Sequence, residues 1–541
     1  MGRTHAGEKD ESGLSRRGVL GWGAAALATG VAAAGAGTAH GATRTPALVP
    51  STSGGMENPF GLGVASGDPL PDAVVLWTRI APKPLDMFGG MPWRKVAVQW
   101  QVATDDRFRQ VVREGTATAR PEYTHTVHVD ARGLEPGREY FYRFRTGAEI
   151  SPVGRTKTAP APDRRLDRLN FAFASCQAWH GGFYTAHRHL AEEDIDLVVF
   201  LGDYIYESGI NATGGARNVP VDERFIGQAR TLDDYRNLYS IYKADPDLQA
   251  AHARAPWLVT PDDHEVVNDY ATLHEWSGMS ETDFATQRAN AYRAYWEHMP
   301  MRPDRAPIGP DMDLYRRFAF GDLATFFVLD GRQYRSTHAC NNHGTAVIGC
   351  AERLDPSRTM LGFEQEGWLL DGLGNSPSTW NVLANQVVMT RYKQNDDGTA
   401  YHHDLWDGYA PARDRLLQGM VQRNVSNPIV LTGDNHNNMA ADVLLDAEDP
   451  ASPVVASEFL GTSVSSGGNG AEQTAFGETL LRLNPQMAFT NYQRGYVRCA
   501  LDRETWRSDY RIVPYVTTQG APVSTRASFV VENGRRGLQT V

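Results

Sequence analysis

Cysteine is scarce in this chain: Cys176, Cys340, Cys350 and Cys499 are the only four among 541 residues. Four are too few to staple a chain of this length, so the fold must rest on buried apolar surface. Positive charge is also in deficit, with 53 Lys and Arg against 64 Asp and Glu and a formal net charge of -11. An acidic surface repels nucleic acid and anionic lipid, so no nucleic-acid-binding surface is expected, and an anionic substrate needs a local excess of cations. Beyond the first 40 residues no apolar run approaches the roughly 20 residues of a spanning helix, so no stable membrane insertion is expected. Several catalytic signatures are missing as well. There is no Gly-x4-Gly-Lys-Ser/Thr phosphate loop and no Gly-x-Ser-x-Gly nucleophile elbow, and His264-Glu265-Val266-Val267-Asn268 lacks the second His of a zinc-protease helix.

What is present is an ordinary globular composition, 41% hydrophobic and 22% charged, at a length that suggests two to four domains. Ser15-Arg16-Arg17-Gly18-Val19-Leu20 precedes an Ala/Gly-rich apolar run ending in small residues around Ala39–Ala42. This is the layout of a twin-arginine signal peptide over 1–42. The run is short and weakly hydrophobic, which favours cleavage over a membrane anchor. The expected partner is the twin-arginine export machinery, and the expected location is secreted, outside the cytoplasm. In an oxidising compartment Cys340 and Cys350 can close a short Asn/Gly-containing loop; Cys176 and Cys499 are the other candidate pair.

Residues 43–57 read as a Pro/Ser/Thr-rich linker. Over 58–160, short alternating runs such as Val96–Val102 and Glu139–Phe144 are separated by Gly, Pro and Asp turns. They predict an all-β sandwich of immunoglobulin or fibronectin type, an accessory domain. From Leu169 the rhythm becomes strand, helix, strand, with apolar runs at 169–174, 196–201, 257–259, 324–329, 380–384 and 428–432. Such continuous runs predict strands covered on both faces, hence an α/β layered core over 166–515. Residues 516–541 read as a strand and a polar tail.

The chemistry lies at the ends of those runs. They finish in Ser175-Cys176-Gln177, Gly202-Asp203-Tyr204-Ile205-Tyr206-Glu207, Pro261-Asp262-Asp263-His264-Glu265, Asp330-Gly331-Arg332, Asn385-Gln386 and Gly433-Asp434-Asn435-His436. An Asp or Asn after one strand is usually a turn former, but ligands gather at the carboxyl ends of strands in α/β sheets, and the whole set points to a site. Asp203 can bridge two cations. Cys176 and Tyr206 suit a trivalent or soft metal, and Asp262, Asp263, Asn268 and Asp434 suit hard cations. His436 reads as a ligand or a proton donor. His264 reads as a proton donor to the leaving oxygen and Arg332 as a phosphate clamp; His187 and His189 read as structural. A site of mixed metals can activate water and polarise a phosphoryl oxygen together. Trp179, Phe183, Tyr184, Trp406 and Tyr409 are candidates to line a lipid groove.

These blocks resemble the calcineurin-like and purple acid phosphatases, and more closely the PhoD-type alkaline phosphatases. The latter likeness rests on the leader, Gly63-Val64-Ala65-Ser66-Gly67-Asp68-Pro69, Ala174–Gln177, Gly202–Glu207, Asp262–Glu265, Asp330-Gly331-Arg332-Gln333-Tyr334 and Gly433–His436, all in order. The resemblance implies a metallophosphoesterase core of two packed sheets flanked by helices, and hydrolysis of phosphodiesters and phosphomonoesters at alkaline pH. It also implies Fe3+ and Ca2+ as cofactors, with Mn2+, Mg2+ and Zn2+ as alternatives for the second metal. Cys176, Asp203, Tyr206 and Asp434 are ligands by the same token. Asp263 stands where the purple phosphatase pattern has Asn, which leaves open which of Asp262, Asp263 and Asn268 ligates. Two further readings stand beside this one: a phospholipase D acting on phospholipid without paired His-x-Lys motifs, and a secreted binding protein with a degenerate phosphatase domain.

Overall fold

The computed structural model describes residues 58–344 and 346–541; the predicted signal peptide and linker lie outside them. Two large sheets stack face to face. The first has ten strands and contains a parallel centre of Arg168–Ala174, Leu197–Phe200 and Trp257–Val259. The second has seven strands, with Ala324–Val328, Trp380–Ala384, Pro428–Thr432 and Val454–Leu460 running parallel through its middle.

Side-chain alternation explains why these strands are mostly apolar. Phe171, Phe173, Leu197 and Val199 face the second sheet, meeting Phe326, Val328, Val382, Ile429 and Leu431. Their neighbours Ala172, Ala174, Val198 and Phe200 face the helices on the outer side, including Leu232–Lys243 and Glu281–His298. Phe327, Leu383 and Val430 pack under Phe363–Gly374 and Ala410–Gln422. With a period of two and both faces covered, most positions are apolar, and the buried polar exceptions are hydrogen-bonded, such as Asn381 to the Ser426 carbonyl and Glu458 to the Met389 and Thr390 N–H groups.

The N-terminal region, expected to form an all-β sandwich, shares one of its two sheets with the core. Val64–Leu70, Ala73–Arg79 and Thr126–Arg132 are strands of the ten-stranded sheet itself, joined to it where Gly67 pairs with Trp257. A separate five-stranded sheet, which includes Val96–Ala103 and Glu139–Thr146, packs against them around Val74, Leu76, Val98, Val102, Tyr142 and Phe144. The sequence pattern marks these segments as strands but not which edge they pair with, and Val64–Leu70 and Ala73–Arg79 are covered on both faces. The C-terminal tail also differs. Ser524–Glu532 and Arg535–Thr540 form a hairpin at the edge of the same sheet, turning at Gly534, whose φ is +77°. Among the described residues no helix is long and apolar enough to cross a membrane.

Candidate metal centre

The loops after the parallel strands converge on one place. Gly202 opens the second loop with φ +100°, and a Cβ there would lie 2.3 Å from Asp262 Cβ, so only glycine lets these loops approach. Glu265 ties them together: its carboxylate accepts from the backbone N–H of Asp203 at 3.1 Å, Tyr204 at 2.6 Å and Asp262 at 2.8 Å. Cys176, Asp203, Asp434 and His436 all have positive φ, between 56° and 66°. Such strain costs about 1–3 kcal/mol per residue, and four instances at one centre mark a site the fold is built to hold.

Three groups of candidate ligands form a chain. Ligand atoms of Cys176, Asp203 and His436 lie within 4.8 Å of one another, as do those of Asp203, Asp263 and His264, and those of Asp262, Asp263 and Asp434. Asp203 and Asp263 are the shared members, placed to bridge. The Tyr206 hydroxyl joins the first group, donating to Asp203 Oδ2 at 2.9 Å, 2.9 Å from His436 Nε2, and accepting from Ser466 Oγ at 2.7 Å. Asn268, in contrast, is exposed; its backbone N–H donates to Glu207 Oε1 at 2.9 Å.

The donor set fits metal ions. Asp203 Oδ1 and Asp262 Oδ2 are buried without a hydrogen-bond partner, which is costly unless a cation meets them. Burial first, and neighbouring carboxylates second, push Asp434 well above the usual carboxylate range. Burial likewise raises the Cys176 thiol and the Tyr206 phenol, so a strongly charged ion is needed to displace their protons. Burial, with Arg494 nearby, lowers His436 to about 3, leaving the neutral imidazole that ligates. Burial also pushes Asp263 up, but Arg332 and His264 outweigh it and hold it at about 2.

Arg332 differs from the predicted open phosphate clamp. Its side chain is 2% exposed, with Nε on Asp262, Nη1 on both oxygens of Asp404 at 2.8 Å, and Nη2 3.3 Å from Asp434. Its fork is occupied by protein carboxylates, because four acids crowd around one guanidinium. His264 is set differently. Its Nδ1 is 2.6 Å from Glu207 Oε2 and its ring lies 4.2 Å from that of Tyr206. Burial lowers its pKa, but Glu207, Asp203 and Asp263 outweigh this and raise it well above the usual imidazole range.

Sequence reasoning passed over Glu207, Asp269 and Asp404. Glu207 stood inside the Gly202–Glu207 block, one residue past the last assigned position. Asp404 follows His402-His403 in a loop with no apolar run before it, so strand ends could not reveal it; Arg332, Arg335 and His338 all bond to it. The aromatic groove is corrected in part: Tyr184, Trp406 and Tyr409 are at most 1% exposed, in the core, whereas Trp179 and Phe183 line a cavity with Arg217, Val219 and Phe225. His187 bonds Gln177 Oε1 at 2.6 Å and His189 the carbonyl of Ala521 at 2.8 Å. Cys340 and Cys350 form a disulfide, whereas Cys176 and Cys499 are both free and buried.

The sequence model of the PhoD-like phosphatase family matches residues 171–510, and that of its N-terminal domain matches 46–160. Alkaline phosphatase D of Bacillus subtilis (strain 168) is 49% identical over 488 residues, covering 89% of this chain and 82% of that protein. A solved structure of PhoD superposes with a TM-score of 0.87 at 48% identity, covering 91% of this chain and 93% of the other. The chain belongs to the PhoD-like phosphatase family.

Proposed function

We propose that this phosphoesterase hydrolase is a mixed-metal phosphodiesterase and phosphomonoesterase, working at alkaline pH with ferric iron and calcium. The chain of three ligand groups shared through Asp203 and Asp263 carries this reading. The group at one end offers a thiol, an imidazole and the neighbouring phenol, a set suited to iron; the group at the other is all carboxylate, a set suited to calcium. Cys176, Asp203, Tyr206 and His436 would hold the first metal, and Asp203, Asp262, Asp263 and Asp434 the others. When bound, the metals supply Lewis acidity to water and to the phosphoryl oxygen.

The remaining work falls to side chains. Glu207 fixes the His264 ring through Nδ1 and sustains its charge, leaving Nε2–H to protonate the departing ester oxygen. Arg332 holds Asp262 and Asp404 in place and offsets part of their charge. Glu265 fixes the spacing between the loops that carry Asp203 and Asp262.

The test is release of p-nitrophenol from mono- and bis-p-nitrophenyl phosphate by the folded protein, with and without a calcium chelator, alongside metal analysis. Diester cleavage lost with chelator and restored by calcium supports the reading; cleavage indifferent to metal removal refutes it. Iron is tested separately: visible absorption from a phenolate on ferric iron should disappear in Tyr206→Phe, and iron-free active protein would exclude it.

The leader motif and the Cys340–Cys350 disulfide support export by the twin-arginine route. Replacing Arg16 and Arg17 by Lys should retain uncleaved protein in the cytoplasm; unchanged export would exclude that route.

A further inference from the structure

Asp269 is built like the ligand candidates although it belongs to none of their groups. Its φ of 54° lies in the left-handed region shared by Cys176, Asp203, Asp434 and His436. Three of its polar groups are committed. Its N–H donates to Asp263 Oδ2 at 2.6 Å, its carbonyl accepts the Trp276 indole N–H at 3.2 Å, and Oδ2 pairs with His343 Nδ1. The His343 ring lies over the Trp276 indole at 4.2 Å with 26° between planes. A continuous set of contacts therefore runs from a candidate metal ligand outward to an imidazole.

The imidazole is carried by the loop that the Cys340–Cys350 disulfide closes. His403 Nδ1 pins that loop from beneath, 2.9 Å from the Ala339 carbonyl and 3.1 Å from that of Asn342. Exposure separates this arrangement from a core His–Asp pair. The His343 side chain retains 34% of its surface and Asp269 20%, beside a centre where Asp263 retains 2%. With Nδ1 engaged by Asp269, Nε2 points from the opposite side of the ring, and the Asp269 bond favours the charged form. His343 is thus a partly exposed donor two contacts removed from Asp263, at the edge of the candidate metal centre.

We propose that Asp269, Trp276 and His343 form an outer subsite in which His343 Nε2–H binds an acceptor oxygen on the second ester substituent of a phosphodiester. The disulfide loop holds the subsite in place. A monoester has no second substituent, so the subsite discriminates between the two substrate classes. This rests on the phosphodiesterase reading above.

The experiment measures kcat/KM for bis-p-nitrophenyl phosphate and p-nitrophenyl phosphate with metal-loaded wild type, His343→Ala, His343→Asn and Cys340→Ser. His343→Asn keeps a donor toward Asp269 but lacks Nε2, so it serves if the alanine variant folds poorly. The diester-to-monoester ratio should fall at least about tenfold in both His343 variants, the worth of one hydrogen bond from a charged donor. It should fall in the same direction in Cys340→Ser. An unchanged ratio in a folded His343 variant, whether both rates fall together or neither does, overturns the subsite. A metal-loaded wild type inert toward the diester refutes the reading beneath it, and the subsite with it.

Discussion

At the residue scale the centre is a case of like charges forced together. Asp262, Asp263 and Asp404 are buried around Arg332, with Asp434 partly exposed beside them and buried Asp203 close to Asp263, more carboxylates than the protein's cations neutralise. Water cannot relieve this, so the site depends on ions the chain does not itself supply. In the proposed mechanism His264 is the proton donor, its ring fixed by Glu207. His264→Ala should lower kcat by about 10²–10⁴-fold on alkyl phosphodiesters, whose leaving oxygen needs a proton. It should lower it far less on nitrophenyl esters, whose leaving group needs none. Glu207→Gln should follow in the same direction with a smaller loss. Equal losses on both leaving groups would show that His264 does not deliver the proton.

At the scale of elements, the last turn of the helix Leu232–Lys243 buries a lysine. Lys243 is 2% exposed, its ammonium 4.2 Å from the Trp77 ring centre and 5.4 Å from that of Tyr204. Burial lowers its pKa to about 7 from 10.5. A lysine with a depressed folded-state pKa binds its proton more weakly in the fold than in the unfolded chain. Below pH 7 both states are charged and the fold bears the whole cost, roughly 5 kcal/mol less whatever the aromatic faces return. As pH rises from about 7 to 10.5 the unfolded chain keeps the proton that the fold has lost, so stability climbs across that window. Lys243→Met should therefore stabilise the protein by a few kcal/mol at pH 7 and by little near pH 10.5. Urea denaturation at the two pH values measures it, and an equal gain at both would refute the titration.

At the scale of the whole molecule, the N-terminal strands are part of the sheet that builds the site. Asp68 shows how firmly they are joined: it is 1% exposed and pairs with the Arg316 guanidinium at 3.1 Å, while Arg302 Nη2 donates to its backbone carbonyl at 2.8 Å. The Trp77 indole donates to the carbonyl of Glu297 at 2.9 Å. Asp68→Ala leaves the Arg316 charge buried and unpaired, which should cost about 3–5 kcal/mol in equilibrium unfolding. The transition should remain single, because no separate domain is released. Two resolved transitions, with the N-terminal one alone shifted, would instead mark an independent sandwich.

Local chemistry was legible in the sequence. Strand positions such as Trp257–Val259, Trp380–Ala384 and Pro428–Thr432 followed from apolar runs, because a strand covered on both faces admits few polar residues, Asn381 being one that bonds to backbone. Cys176, Asp203, Asp263, His264, Asp434 and His436 could be named because each follows such a run directly. Asp404, Asp269 and His343 follow none; Asp269 lies six residues past Asp263 in the same loop, and Asp404 and His343 meet the centre only through chain folded back from far along the sequence. The occupied fork of Arg332 is of the same kind, since its partners come from three separate loops. The joining of the Val64–Leu70 strand to Trp257 was equally hidden, since the sequence pattern marks a strand and leaves the pairing edge unspecified. Sequence thus determined which residues could do chemistry, through local pattern and ligand type. Tertiary structure decided which of them meet, because contacts between distant loops depend on how two packed sheets bring their strand ends together.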